Sequence, residues 1–417
     1  MIAIIFLKRI LFIFLFTLIF FVFDIQTAWS HAYVVEQTPL PNSQHEISPT
    51  QIKITFNSEV ETNFSIKVID EENQVVESES PSISDDRKEI SIQLPTLLDG
   101  VYKIEYYIIS SNDGHTIQGS YNILVGKNNE PLLNQGSGNS LSNDTWGSSN
   151  VLEIIIYVLK ALYYIGLVLV IGWVFWWQTI KNYSIDIRRK YLLWGIVLQM
   201  VHLVGLISII LIQVDIFTSK GLFFTPGFPF DTGFGLFWLI SLVLSLIGFL
   251  CLFKNRWIDL IWISILFICK SINGHASAFS FTELSIILNS IHLIAAAIWA
   301  AGLSFIVIFW RKHTLYVKEF LPSFSSNALI SFILLVISGS ILTIIYSPRF
   351  PFILGSWGII LIAKICLVAI VVLIANVIRT RIKGSHLTIG TWIRIDFLFI
   401  IVILVIVSVL TYLSPTQ

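Results

Sequence analysis

The chain has 417 residues, 55% of them hydrophobic and only 12% charged, and its 26 basic side chains are balanced by 26 acidic ones. Soluble domains carry roughly 25% charged residues, so the composition excludes an ordinary soluble protein, and the zero net charge argues against a nucleic-acid partner. Cys251, Cys269 and Cys366 all sit in apolar runs without CxxC spacing, which leaves no disulfide framework, thiolate metal site or redox dithiol to expect.

Residues 1–30 read as a secretory signal peptide. Lys8 and Arg9 precede a 14-residue apolar stretch from Ile10 to Phe23, and Ala28-Trp29-Ser30 places small residues for a cut after Ser30. An uncleaved anchor is the competing reading. Residues 31–126 then alternate apolar and polar in short runs, "QIKITF", "FSIKVID", "KEISIQL", "VYKIEYYI" and "SYNILVG", with turn-rich pieces between. Such runs predict half-buried strands and a small antiparallel β-sandwich. Residues 127–150 are a Gly/Ser/Asn-rich linker.

Residues 151–413 predict an all-α membrane bundle of about eight spans: 151–180, 191–213, 233–253, 257–273, 284–310, 326–346, 355–378 and 393–413. Each approaches the ~20 apolar residues that cross a bilayer. With the β-domain outside, thirteen Lys and Arg fall in cytoplasmic segments, against Lys220 and Arg349 in outer loops. That asymmetry follows the positive-inside rule and predicts a multi-pass plasma-membrane protein with an extracytoplasmic N-terminal domain.

Cleavage after Ser30 would make His31 the first residue, so that its α-amine and imidazole can chelate one ion. Asp113 and His115, two apart, would share a face if they lie on a strand. An amine, two imidazoles and a carboxylate suit Cu(II). Spacing alone leaves this level with the plainer reading, an accident of cleavage and a D-x-H turn. His45 reads as decoration of a solvated loop, and Glu59 as an edge carboxylate.

"HAYVVEQTPLPNS", "ITFNSEVE" and "SNDGHTIQGSYNILVG" resemble the start, middle and end of a CopC domain. The resemblance implies a cupredoxin-like β-fold with His31, Asp113 and His115 as ligands of one Cu(II). The β-domain has no methionine, so the methionine-rich Cu(I) site of some CopC proteins is not expected. "NGHASAFS" with "LNSIHLIAAAIWAAGL", then "FILLVISGS" and "GSWGIILIAKICLV", are similar to CopD signatures. Two departures stand out: Trp299-Ala300-Ala301-Gly302 replaces the family's WxGG, and Trp357-Gly358 its YG. Both are mild, and they put close helix packing in doubt rather than the resemblance. In this order the two parts resemble the YcnJ-like CopC–CopD fusion copper transport proteins.

Polar groups inside a membrane are costly and ask for a role. His202, His275, His292 and Met200 form a candidate copper path. Interhelical hydrogen bonding is the competing account, and Met200 stands on a different helical face from His202, two residues turning a helix by ~200°. Gln199 shares the face of His202, and Asn289 that of His292. Lys364 matches a lysine of the family pattern.

The expected function is capture of Cu(II) outside and copper import through the bundle, with the copper ion, the lipid bilayer and an extracytoplasmic copper chaperone as partners. No ATPase motif is present, and no enzymatic activity is expected. The alternatives are a copper resistance or efflux partner, and a haem or copper membrane redox enzyme with His202 and His292 as axial ligands.

Overall fold

A computed structural model describes residues 34–76, 78, 80–111, 114, 116–126, 151–179, 184–222, 227–273, 282–346, 356–382 and 389–410. The signal peptide, the linker, and His31, Asp113, His115 and His275 lie outside these residues.

Among the described residues the β-domain has eight strands: β1 (Val34–Thr38), β2 (Gln44–His45), β3 (Gln51–Phe56), β4 (Ser65–Ile69), β5 (Ser82–Ile83), β6 (Glu89–Gln93), β7 (Gly100–Ile109) and β8 (Thr116–Val125). They form two four-stranded sheets, β1-β3-β6-β5 and β2-β8-β7-β4. Alternation does what the sequence predicts. On β3, Ile52, Ile54 and Phe56 point inward while Gln51, Lys53 and Thr55 stay partly exposed. Ile90 and Ile92 on β6 and Ile104 and Ile108 on β7 complete the core from both sheets. The expected antiparallel pairing needs one correction: β2 runs parallel to β8, Gln44 against Leu124 and His45 against Val125.

Eight helices follow among the described residues: α1 (Val151–Thr179), α2 (Ile185–Ser219), α3 (Gly233–Cys251), α4 (Arg256–Ile272), α5 (Thr282–Phe309), α6 (Thr314–Tyr346), α7 (Ser356–Ile382) and α8 (Ile389–Leu410). Seven are long and apolar enough to cross a membrane. The exception is α4, whose 17 residues include Asp259 and Lys270. At 1.5 Å per residue it extends about 25 Å, short of a ~30 Å hydrocarbon core. The eight expected spans thus correspond to eight helices, of which seven meet the length and polarity that crossing requires.

Helix α1 is the hub, packed against α2, α4, α5 and α8. Close approach explains this. A Cβ on Gly166 would sit 2.6 Å from the His202 backbone nitrogen of α2, and one on Gly172 would collide with the Ala297 carbonyl and Ala301 of α5. Ala301, which stands where the resembled pattern has its first glycine, is accommodated in this way. Ala300 and Ala301 are buried, and the missing Cβ is that of Gly172 on the facing helix. Beyond Gly172 lies an aromatic layer, in which Trp173 stacks on Tyr191 at 4.4 Å and each bonds the other's carbonyl. Outward faces are apolar: Leu193, Ile196, Val197, Met200 and Val204 of α2 are all exposed, as lipid-facing side chains are.

Candidate metal site and its seat on the bundle

Strands β7 and β8 pair without a break from Gly100–Val125 to Ile109–Thr116. Of the Asp113-Gly114-His115 motif only Gly114 is described, and it lies between the two strands. Gly114 has φ +69°, in the left-handed region that favours glycine, and its N–H bonds the Ser110 carbonyl at 3.0 Å. Strand alternation does not apply to such a residue. A Cβ on Gly114 would lie 2.6 Å from Cγ of Phe234, near the start of α3. Gly114 thus rests against the helical bundle.

A compact apolar seat surrounds that contact. Tyr107 and Ile109 of β7 pack with Phe217, Leu222, Phe228 and Phe234 of the bundle. Asn63 donates to the Leu222 carbonyl at 2.6 Å, and the Lys220 ammonium lies 5.5 Å over the Tyr107 ring. On the bundle side the Asn273 amide donates to the Phe234 carbonyl at 3.1 Å. Asn273 caps α4 and directly precedes the "GHASAFS" stretch that carries His275. One phenylalanine therefore touches the middle of the first motif and is bonded to the residue next to the second.

Glu61 borders the seat. Its N–H bonds the Ile109 carbonyl at 2.8 Å, and it is 8% exposed. Burial pushes its carboxyl above the ordinary value of 4.5; Arg87 opposes this, and Asp231 and Glu59 add to it. A raised carboxyl favours the protonated folded form, so stability is lost as pH rises from 4.5 through the folded value. Glu61→Gln is expected to abolish this loss. Thermal unfolding of the full-length protein between pH 4 and 7 should show wild type falling relative to the variant, and parallel profiles would count against it.

Inside the bundle, the structure sorts the sequence candidates. His202 is fully buried on α2, stacked on Tyr163 of α1 at 5.7 Å, with Nδ1 3.1 Å from the Ser245 hydroxyl of α3. Gln199 donates to that serine's carbonyl and hydroxyl, at 2.6 and 3.3 Å. His202 Nε2 and Gln199 Oε1 are both buried without a partner. These two atoms offer an imidazole nitrogen and an amide oxygen to an ion or a water. Met200 is 55% exposed on the lipid face, so it does not join His202. His292 of α5 sets Nδ1 3.0 Å from the Ser338 hydroxyl of α6, and its Nε2 is 3.5 Å from Lys364 Nζ of α7. Metal reaching that nitrogen has to displace the lysine. Lys270, in the last turn of α4, lies 5.0 Å over the Tyr164 ring.

Among the described residues no group of three or more His, Cys, Asp or Glu is placed to hold a metal. His45, whose Nε2 is 2.7 Å from the Ser43 hydroxyl, and Glu59, paired with Arg87 at 2.5 Å, already have partners. The seat itself was missed from sequence. Its signal was the run Tyr107-Ile108-Ile109-Ser110, buried on both faces where a half-buried strand alternates.

Residues 34–126 match the family model of the CopC domain, and residues 318–410 that of copper resistance protein D. Copper transport protein CutJ of Bacillus subtilis (strain 168) is 28% identical over 323 residues, 71% of this chain and 57% of that protein. The match thus spans little more than half of the relative's length. Solved structures similar to the β-domain include CopC from Methylosinus trichosporium OB3b, at 26% identity, covering 24% of this chain and 98% of that one with TM-score 0.22. Another is PcoC, a methionine-rich copper resistance protein from Escherichia coli, at 21% identity, 23% and 99% coverage and TM-score 0.21.

Proposed function

From a chain that joins a CopC domain to CopD sequence, we propose a copper transport protein whose β-domain captures Cu(II) outside and delivers copper to the bundle for import. The observation that carries this reading is the seat. Gly114, inside the proposed ligand motif, lies against Phe234, whose carbonyl is bonded by Asn273 at the threshold of His275. Copper released from His31, Asp113 and His115 would need to move only across this contact to meet the bundle.

The steps within the membrane follow from side-chain chemistry. His275 would take copper at the mouth. His202 Nε2, free of any described partner and orientated by Ser245 and Tyr163, would provide a neutral imidazole deeper in. His292 would provide a second once Lys364 swings away. Gln199 replaces Met200 in this set, because it faces the same interior as His202.

Cellular copper under copper limitation tests the direction. Loss of the protein should lower it, and a rise instead would make the protein an exporter. In the full-length protein, replacing His275 and His292 together by Ala should lower uptake several-fold while Cu(II) binding by the β-domain is retained. Normal uptake at a normal protein level would return both histidines to a purely structural role. A Soret band in the purified protein would favour the haem reading, in which iron would need the same His292 nitrogen that Lys364 now faces.

A further inference from the structure

The bundle has a second polar feature at the end away from the β-domain. Helices α3 and α5 both start on the β-domain side and run away from it, so the end of α5 and the start of α8 lie at the far face. There Val307, Trp310 and Arg311 meet Ile393 and Arg394 around a cavity of about 240 Å³. Two arginines, Arg311 just after α5 and Arg394 on α8, line one space, and neither has an acidic partner among the described residues. Like charges brought together without a counter-ion call for an anion. Arginine's planar fork matches phosphate oxygens two at a time.

The rest of the lining narrows the ligand. Val307 and Ile393 offer hydrocarbon, and Trp310 is a side chain that sits at membrane interfaces. A free phosphate ion gains nothing from an apolar wall, whereas a phospholipid fits both parts, with its phosphodiester on the arginines and its glycerol and upper acyl chains against Val307, Ile393 and the indole. By the charge asymmetry of the loops this is the cytoplasmic face, where the leaflet is rich in anionic lipid.

We propose that the cavity between the end of α5 and the start of α8 binds the headgroup phosphate of an anionic phospholipid through Arg311 and Arg394. The site is independent of the copper reading, and tying α5 to α8 through a lipid would steady the helix that carries His292.

Native mass spectrometry of the full-length protein, delipidated and titrated with phosphatidylglycerol or phosphatidylcholine, tests it. Wild type should hold one phosphatidylglycerol about tenfold more tightly than phosphatidylcholine. Arg311→Gln/Arg394→Gln should lose that preference, while Arg189→Gln/Lys254→Gln, which removes the same charge elsewhere on this face, should keep it. Equal retention by the first variant and wild type would overturn the proposal. Inorganic phosphate at millimolar concentration should not displace the lipid; full displacement would make the site one for free phosphate and overturn the lipid assignment. A variant-free arm uses phosphatidylglycerol with a photoreactive headgroup on wild type. Crosslinks at residues 307–311 or 393–394 support the site, and crosslinks confined to other segments overturn it.

Discussion

Adding one residue ahead of His31 in a protein that otherwise begins at His31 is expected to weaken Cu(II) binding by about a hundredfold or more. The extension moves the α-amine away and leaves both imidazoles and the Asp113 carboxylate in place, so the amine donor alone is removed. A hundredfold loss corresponds to roughly 3 kcal/mol, each ~1.4 kcal/mol being tenfold in affinity. The fold should survive, because β1 begins only at Val34 and is held along β3. His115→Ala should weaken binding as well. His45→Ala should not, since that ring is turned to Ser43 within the domain. Competitive Cu(II) titration of the free and extended forms decides the matter, and equal affinities would show that the amine is not a ligand. Affinity should also fall on acidification, because an amine with pKa near ~8 must lose its proton to bind metal.

The second large effect concerns the seat. Phe234→Ala is expected to reduce copper uptake by tenfold or more while Cu(II) affinity stays as in wild type. Phe234 is 2% exposed, between Gly114, Phe217, Phe228 and Trp238. Truncating a buried phenylalanine costs about 3–5 kcal/mol where neighbours cannot close the gap, and here the gap opens between the domain and the bundle. Gly114→Ala acts on the same contact from the other side, through the collision with the ring and a left-handed residue's penalty of about 1–2 kcal/mol. It should therefore depress uptake too, with a change in metal affinity that Phe234→Ala lacks. Uptake and Cu(II) affinity measured on both variants separate docking from ligation. Undiminished uptake by Phe234→Ala would mean that copper reaches the bundle by another way.

Much of the architecture was legible because its causes are local. Period-two alternation in "QIKITF" places Ile52, Ile54 and Phe56 in the core whatever lies opposite. The angular spacing on α2 likewise separated Gln199 and His202 from Met200 before any neighbour was known. What the sequence hid depends on partners distant along the chain. Nothing in "SNDGHTIQ" says that Gly114 will meet a ring some 120 residues later, nor that the Lys364 amine will face His292. Helix ends were similarly opaque. The expected span 191–213 is part of a helix running from Ile185 to Ser219, because hydropathy reports where lipid begins and not where backbone hydrogen bonding stops. The described pairing of β7 with β8 runs from Gly100–Val125 to Ile109–Thr116, and Asp113 and His115 lie outside the described residues.

Helix α2 is long for a reason beyond crossing the membrane. Its 35 residues extend about 52 Å, nearly twice the hydrocarbon thickness. It has no proline, and it carries His202 at mid-length and Phe217 near its tip, roughly 22 Å apart. A rod held in this way acts as a lever. A 10° tilt imposed where Phe217 meets the β-domain corresponds to roughly 4 Å of sideways travel over that length, more than the reach of a hydrogen bond. Loading or unloading the β-domain, if it shifts the seat, would then be felt mechanically at the buried imidazole without any ion having yet arrived there.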